Sequence, residues 1–290
     1  NDKRQITPSL EFPLGDQPIQ LDEQGSALKV LAIQETSSGT LIGAVTADDR
    51  LLLGVFSSSS NLITGAVTVE QEIFTLPALP QGVIATHMQI DERAQHLVVA
   101  TNKSQIILYK IVSPSAAERK EAVVVPHGKI TALQFLVGTG SLVVGTSEGH
   151  VSQWFLVRDP HNEYHVTHVR DFESLDGAIT GFAPEFARRG FWAGDDKGNI
   201  GIYFGTSQRT LLVESVSDKS ISNIAISPIN NRALLIDDSK NLSLLDVWNK
   251  HPEVSFSSLW QKVWYEGRDA PEYIWQASSG SDNFEAKMSF

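Results

Sequence analysis

The sequence predicts an all-β fold, a β-propeller of four-stranded antiparallel blades, and three observations carry that prediction. A pair of apolar, strand-like runs recurs every 42 to 49 residues, the two runs of a pair start 12 or 13 residues apart, and helical periodicity is absent over any useful length.

The first run of the pair reads IATHMQI from Ile84, ITALQFL from Ile130, ITGFAPE from Ile179 and ISNIAIS from Ile221. The second reads LVVATNKSQIILYKI from Leu97, LVVGTSEGHVSQWFL from Leu142, FWAGDDKGNIGIYFG from Phe191 and LLIDDSKNLSLLDVW from Leu234. A looser copy lies upstream, with KVLAIQ from Lys29 and LIGAVTADDRLLLGVF from Leu41. Units of this length, each made of several short strands, cannot bury both faces alone and must stack on their neighbours.

Within a unit, an apolar β-branched run enters a turn such as TSEG, DDKG or DSKN and leaves with alternating polarity. Gly149 and Gly198 stand where a tight hairpin needs positive φ, and Asn241 is expected to fill that place in the last copy. Fourth strands are expected at KEAVVVP from Lys120, YHVTHVRDF from Tyr164 and RTLLVES from Arg209. The blades then span residues 27–77, 82–126, 128–174, 177–216 and 219–258, with extra N-terminal strands within 4–22 and the whole propeller within 1–258. The serine run SSSSN, 57 to 61, is expected to be a flexible loop.

The units resemble WD40 repeats. The copy nearest the pattern is GKITALQFLVGTGSLVVGTSEGHVSQWFLV, residues 128 to 157, with Trp154 near the usual tryptophan position and Trp248 in a comparable place. The Gly-His start and Trp-Asp end of that repeat are otherwise missing. Five blades are readable, and closed propellers of this kind imply a ring of six or seven in the parent protein.

Composition narrows the function. Net charge is −11, from 34 acidic and 23 basic residues, and no basic run exceeds two residues. A nucleic-acid partner, whose phosphates need a Lys/Arg surface, is not expected. The absence of cysteine removes disulfides, thiolate nucleophiles and Cys-ligated zinc. No apolar run approaches the 18 or so residues of a membrane span. The start, NDKRQITPSL, has neither a signal peptide nor an initiating methionine, so the chain reads as a piece of something larger.

Candidate chemistry is sparse. His161, His165 and His168 invite a metal reading, but on a strand His161 and His165 share one face and His168 takes the other. The pairs Asp195–Asp196 and Asp237–Asp238 fall in equivalent turns, where Asp orders a hairpin through its own backbone. DDKGN, residues 195 to 199, lacks the spacing of a phosphate loop and leads into a strand. No catalytic residue, cofactor site or metal site is assigned, and the chain is not expected to be an enzyme.

The remaining signal is the tail, residues 259–290. Trp260, Trp264 and Trp275 fall within sixteen residues, and with Tyr265 and Tyr273 they form a possible aromatic anchor onto the propeller, while SSGSDN (278 to 283) is expected to be an exposed linker. The segment KVWYEGRDAPEYIWQASSGSDNFEAKMSF closely resembles the stretch before the main transmembrane bundle of enlarged bacterial phosphate ABC-transporter permeases of the PstC type. Trp264 to Gly267, Pro271 to Gln276 and Ser278 through Lys287 carry that resemblance, and ITPSLEFPLG from Ile6 is similar to the interior of the same family's extra domain. The resemblance implies a non-catalytic periplasmic domain of an inner-membrane permease, joined to the membrane by a helix after residue 290. Its implied partners are the other transporter subunits and a periplasmic phosphate-binding protein. The alternative is a propeller enzyme or sugar-binding propeller with a ligand in its central channel.

Overall fold

The computed structural model describes residues 20–37, 39–60, 67–113, 116–138, 140–185, 189–227, 232–246, 275–280 and 283–288. Among them every regular element is a strand, and the strands form five antiparallel sheets. Blade one is β1 (Leu28–Thr36), β2 (Gly39–Thr46), β3 (Leu51–Ser60) and β4 (Val67–Thr75). Blade two is β5 (Ala85–Ile90), β6 (His96–Thr101), β7 (Gln105–Ser113) and β8 (Ala116–Val124). Blade three is β9 (Ile130–Phe135), β10 (Ser141–Thr146), β11 (Val151–Arg158) and β12 (Tyr164–Asp171). Blade four is β13 (Ile179–Glu185), β14 (Gly190–Asp195), β15 (Asn199–Phe204) and β16 (Thr210–Ser215). The fifth sheet is β17 (Ile221–Ile226), β18 (Arg232–Asp237), β19 (Asn241–Asp246), β20 (Trp275–Gly280) and β21 (Asn283–Met288).

The innermost strands β1, β5, β9, β13 and β17 neighbour one another in that order, and the sheets do not close into a ring. Blades two, three and four each lie between two neighbours and bury both faces against them, which explains the continuous apolar runs of their second strands. Alternate residues of β6 go opposite ways: Leu97 and Val99 join the core shared with blade one, and Val98 and Ala100 the core shared with blade three. Blade three then turns Val143 and Ala132 toward blade four, where Phe172, Phe191 and Tyr203 pack with ring centroids 5.0–5.3 Å apart. On the other side of blade four, Trp192, Ile200 and Ile202 meet Ile221, Ala233 and Leu235.

Four details differ from expectation. The positive φ of the last hairpin falls on Lys240 (φ 64°), with Asn241 already opening β19, because the five turns align from the residue that ends each second strand. Gly149 (φ 75°) and Gly198 (φ 86°) hold that same place in their blades. Ser57–Ser60 is no loop: it continues β3 and pairs with Val67–Glu70 of β4, so its backbone is committed to the ladder. Around the tail, the backbone of Trp275–Ser278 pairs with Asn241–Leu244, and Asn283–Met288 pairs back on β20. Ser278–Gly280 and Asn283 therefore belong to strands that cover the outer edge of β19, whose unpaired N–H and C=O groups would otherwise face water. The blade placed at 219–258 thus draws its fourth strand from beyond that range. The strands expected within 4–22 lie outside the described residues up to residue 19, and residues 20–22 are not strand.

Close approach between blades sets one sharp requirement. A Cβ added to Gly145, at the end of β10, would sit 2.5 Å from Ile179 Cβ on the innermost strand of blade four. We expect Gly145→Ala to destabilise the domain by about 1–3 kcal/mol through overpacking, read as a lower midpoint in urea. An unchanged midpoint would show that the third and fourth blades can part without cost.

Candidate functional site

The paired turn carboxylates form a structural device. The second strand of each blade ends in a buried polar residue, Thr46, Thr101, Thr146, Asp195 or Asp237. A hairpin at this depth strands N–H donors, and this side chain receives them. Thr46 Oγ1 accepts from Arg50 N at 3.0 Å, and Asp237 Oδ1 from Asn241 N at 2.9 Å. Asp195 takes four donors: Lys197 N at 3.0 Å, Asn199 N and Asn199 Nδ2 each at 2.7 Å, and Gly177 N at 2.9 Å. The next residue binds the segment that leads into the innermost strand. Asn102, Ser147 and Asp196 accept from the backbone of Ile84, Lys129 and Ala178, while their own N–H groups donate back to those carbonyls. The Asp195 and Asp196 carboxylates thus accept from the successive Gly177 and Ala178 N–H groups ahead of β13, and Asp195 also holds its own hairpin.

The three histidines separate as the strand argument requires, with one correction. His161 lies in the turn before β12, so it does not share a strand face with His165. His165 lies between Glu121 of blade two (3.1 Å) and Asp159 (3.3 Å), and these hydrogen bonds, Glu121's first, hold its pKa above the usual value. His168 Nε2 and His150 Nε2 each lie 2.9 Å from Asp171 Oδ1, and His168 packs edge-on against Trp154 at 5.1 Å. Burial works against ionising Asp171, but the His168 and His150 contacts prevail and keep its carboxyl below the usual range. Among the described residues no three His, Asp or Glu side chains gather to hold a metal.

Two further polar groupings escaped sequence reasoning. Arg50 grips Asp22 with two 2.9 Å bonds and Asp48 with a third at 2.7 Å, tying the segment before β1 to the first hairpin. The Arg50 hydrogen bond brings the Asp22 carboxyl down to about 2. The second is a cavity of about 340 Å³ between blades three and four, lined by Gln153, Arg170 and Arg189 among others. Its signal was a glutamine inside the apolar run VSQWFL, at a position buried on both sides. On the innermost strands, burial pushes the His87 pKa down, and His87 has Thr86 Oγ1 at 3.0 Å. Of the expected anchor, Trp260, Trp264, Tyr265 and Tyr273 lie outside the described residues, as do the side chain of Trp275 and all of Trp248.

No protein-family profile matches the chain, and no curated protein matches it. Solved structures do. A chain of a mitotic checkpoint complex superposes with a TM-score of 0.58 at 11% identity, covering 99% of this chain and 88% of that one. The WD40 repeats of RRP9 superpose with a TM-score of 0.56 at 15% identity over 79% of this chain and 63% of that one. U3-55K gives 0.56 at 15%, over 79% and 64%. The fold is a WD40-like β-propeller. At these identities the likeness concerns the propeller's architecture, and the propeller itself hosts many functions. No helix among the described residues is long and apolar enough to cross a membrane.

Two measurements check the polar framework. Asp195→Ala would strand several buried donors in one step, and we expect a loss of about 1–3 kcal/mol for each donor left without a partner, with the largest rise in amide exchange at Lys197–Asn199. His165 gains its partners only on folding, so its raised pKa adds stability below its unfolded value of 6.5, and that contribution disappears as pH rises through the folded value. The melting-temperature difference between wild type and His165→Gln should therefore be larger at pH 5.5 than at pH 8.5. A difference independent of pH would remove the charged bridge between blades two and three.

Proposed function

We propose that this propeller is a non-enzymatic interaction domain of an inner-membrane phosphate-import permease, standing in the periplasm and engaging another component of the transporter. The observation that carries the reading is the ordered set of motifs from Trp264 to Lys287, which resembles the approach to the membrane bundle in PstC-type permeases. The WD40-like fold supports an interaction role, since such propellers present wide surfaces for other chains. One neighbour, Sqt1, is bound to the N-terminus of a ribosomal protein (TM-score 0.56, 12% identity), which supports a propeller of this shape holding a polypeptide. The acidic balance agrees with a role that avoids nucleic acid.

The immobilised chain, presented to periplasmic extract from phosphate-starved bacteria, should retain the phosphate-binding protein or a permease subunit, identified by mass spectrometry. Capture of neither, together with unchanged phosphate uptake by a permease lacking residues 1–258, would overturn the proposal.

A further inference from the structure

Gln153, which lines the cavity between blades three and four, carries a buried acceptor with no donor. Gln153 is 1% exposed, and its Nε2 donates to Ser141 Oγ at 2.8 Å and to the Gly205 carbonyl at 2.9 Å. A carbonyl only accepts, so the amide nitrogen must face Gly205, and the orientation of the side chain is fixed. Gln153 Oε1 is then left buried without a hydrogen bond. An unsatisfied buried acceptor costs free energy that a suitable ligand recovers on binding.

Two cations border the same cavity. Gln153 pairs with Arg170 across β11 and β12, so both side chains leave the same face of the sheet. Arg189 precedes β14 with φ at 52°, and its carbonyl accepts from Gly205 N at 3.1 Å, which places it next to the turn that holds the Gln153 amide. Among the described residues neither arginine forms an ion pair, although the chain carries a net charge of −11. Val137 and Phe155 supply an apolar wall.

We propose that this cavity binds a carboxylate-bearing peptide segment of a partner protein. An acidic residue in an extended segment presents a carboxylate, a main-chain N–H and an aliphatic neighbour within a few ångströms. These complement Arg170 and Arg189, Gln153 Oε1, and the Val137–Phe155 wall respectively. The volume of about 340 Å³ is enough for a side chain and its flanking backbone, at the small end of the roughly 300–1,000 Å³ of ligand sites. A water molecule would satisfy Gln153 alone and leave the arginines and the apolar wall without a use. The proposal rests on the reading of this chain as an interaction domain, and names where a partner is gripped.

The test titrates the whole chain with the acetylated, amidated tripeptide Leu-Glu-Leu at millimolar concentration, following the side-chain amide of Gln153 by NMR. Leu-Gln-Leu, succinate and inorganic phosphate are run in parallel. We expect the Glu peptide to shift the Gln153 amide, the Gln peptide to bind at least about tenfold more weakly, and Arg170→Gln or Arg189→Gln to cause a similar loss, as fits a charge-assisted hydrogen bond. Arg189 is exposed and Arg170 half-buried, so both variants should fold, which unchanged melting temperatures would verify. Equal binding of the Glu and Gln peptides, or succinate or phosphate binding as tightly as the Glu peptide, would overturn the peptide reading, as would no shift at all. Transporter capture that persists in a chain that ignores the peptide would remove this site and leave the interaction role standing. Peptide binding in a chain that captures no transporter component would do the reverse.

Discussion

Everything in this fold depends on ending a strand that is buried on both faces. In blades one to four the second strand is buried on both faces along most of its length, and in the fifth sheet it is buried at alternate residues. Its closing hairpin must therefore satisfy its buried N–H groups without water. A threonine or aspartate at one repeated position does so, at Thr46, Thr101, Thr146, Asp195 and Asp237. The residue after it then ties the hairpin to the backbone just before the innermost strand, so the turn and the start of the blade are locked together. The same register fixes which residues of the second strand face each neighbour, and so which apolar clusters form.

That dependence explains what was legible in the sequence. The repeat and the strand pairs follow from apolar runs of fixed spacing, and the innermost strands begin at or within a residue of Ile84, Ile130, Ile179 and Ile221. The turn carboxylates were readable as structure because Asp in a hairpin has a local backbone role. The one-residue error at Lys240 came from aligning that turn on its asparagine, when the buried Asp237 sets the register. Ser57–Ser60 was unreadable because serine carries no strand preference, and only its partner strand β4 reveals its state.

Long-range pairing was the wider blind spot. Nothing local in WQASSG states that it lies along β19, since the segment is short, polar in its second half and some thirty residues away in the chain. The Gln153 cavity was hidden for a related reason. Its parts come from two blades, and the only local hint is one polar residue in an apolar run. Arg170 and Arg189, ordinary surface cations in the sequence, line one cavity only because two blades stack.

The seams between blades change character from inside to outside, and this determines where recognition can be placed. Near the centre they are apolar, as at Phe191 and Ile179, and a polar ligand there would disrupt packing that each blade needs. Toward the rim they become polar: His165 meets Glu121, Gln208 Nε2 donates to the Asp171 carbonyl at 2.8 Å, and Tyr203 donates to the Glu173 carbonyl at 2.7 Å. At most of these points each donor has found its acceptor, and the seam is closed. Between blades three and four the Gln153 amide nitrogen is satisfied but its Oε1 has no donor, and two arginines stand beside it without carboxylates. A seam open at this outer place can take a ligand there without loosening the blades, since the apolar contacts that hold them, such as Phe191 with Ile179, lie deeper.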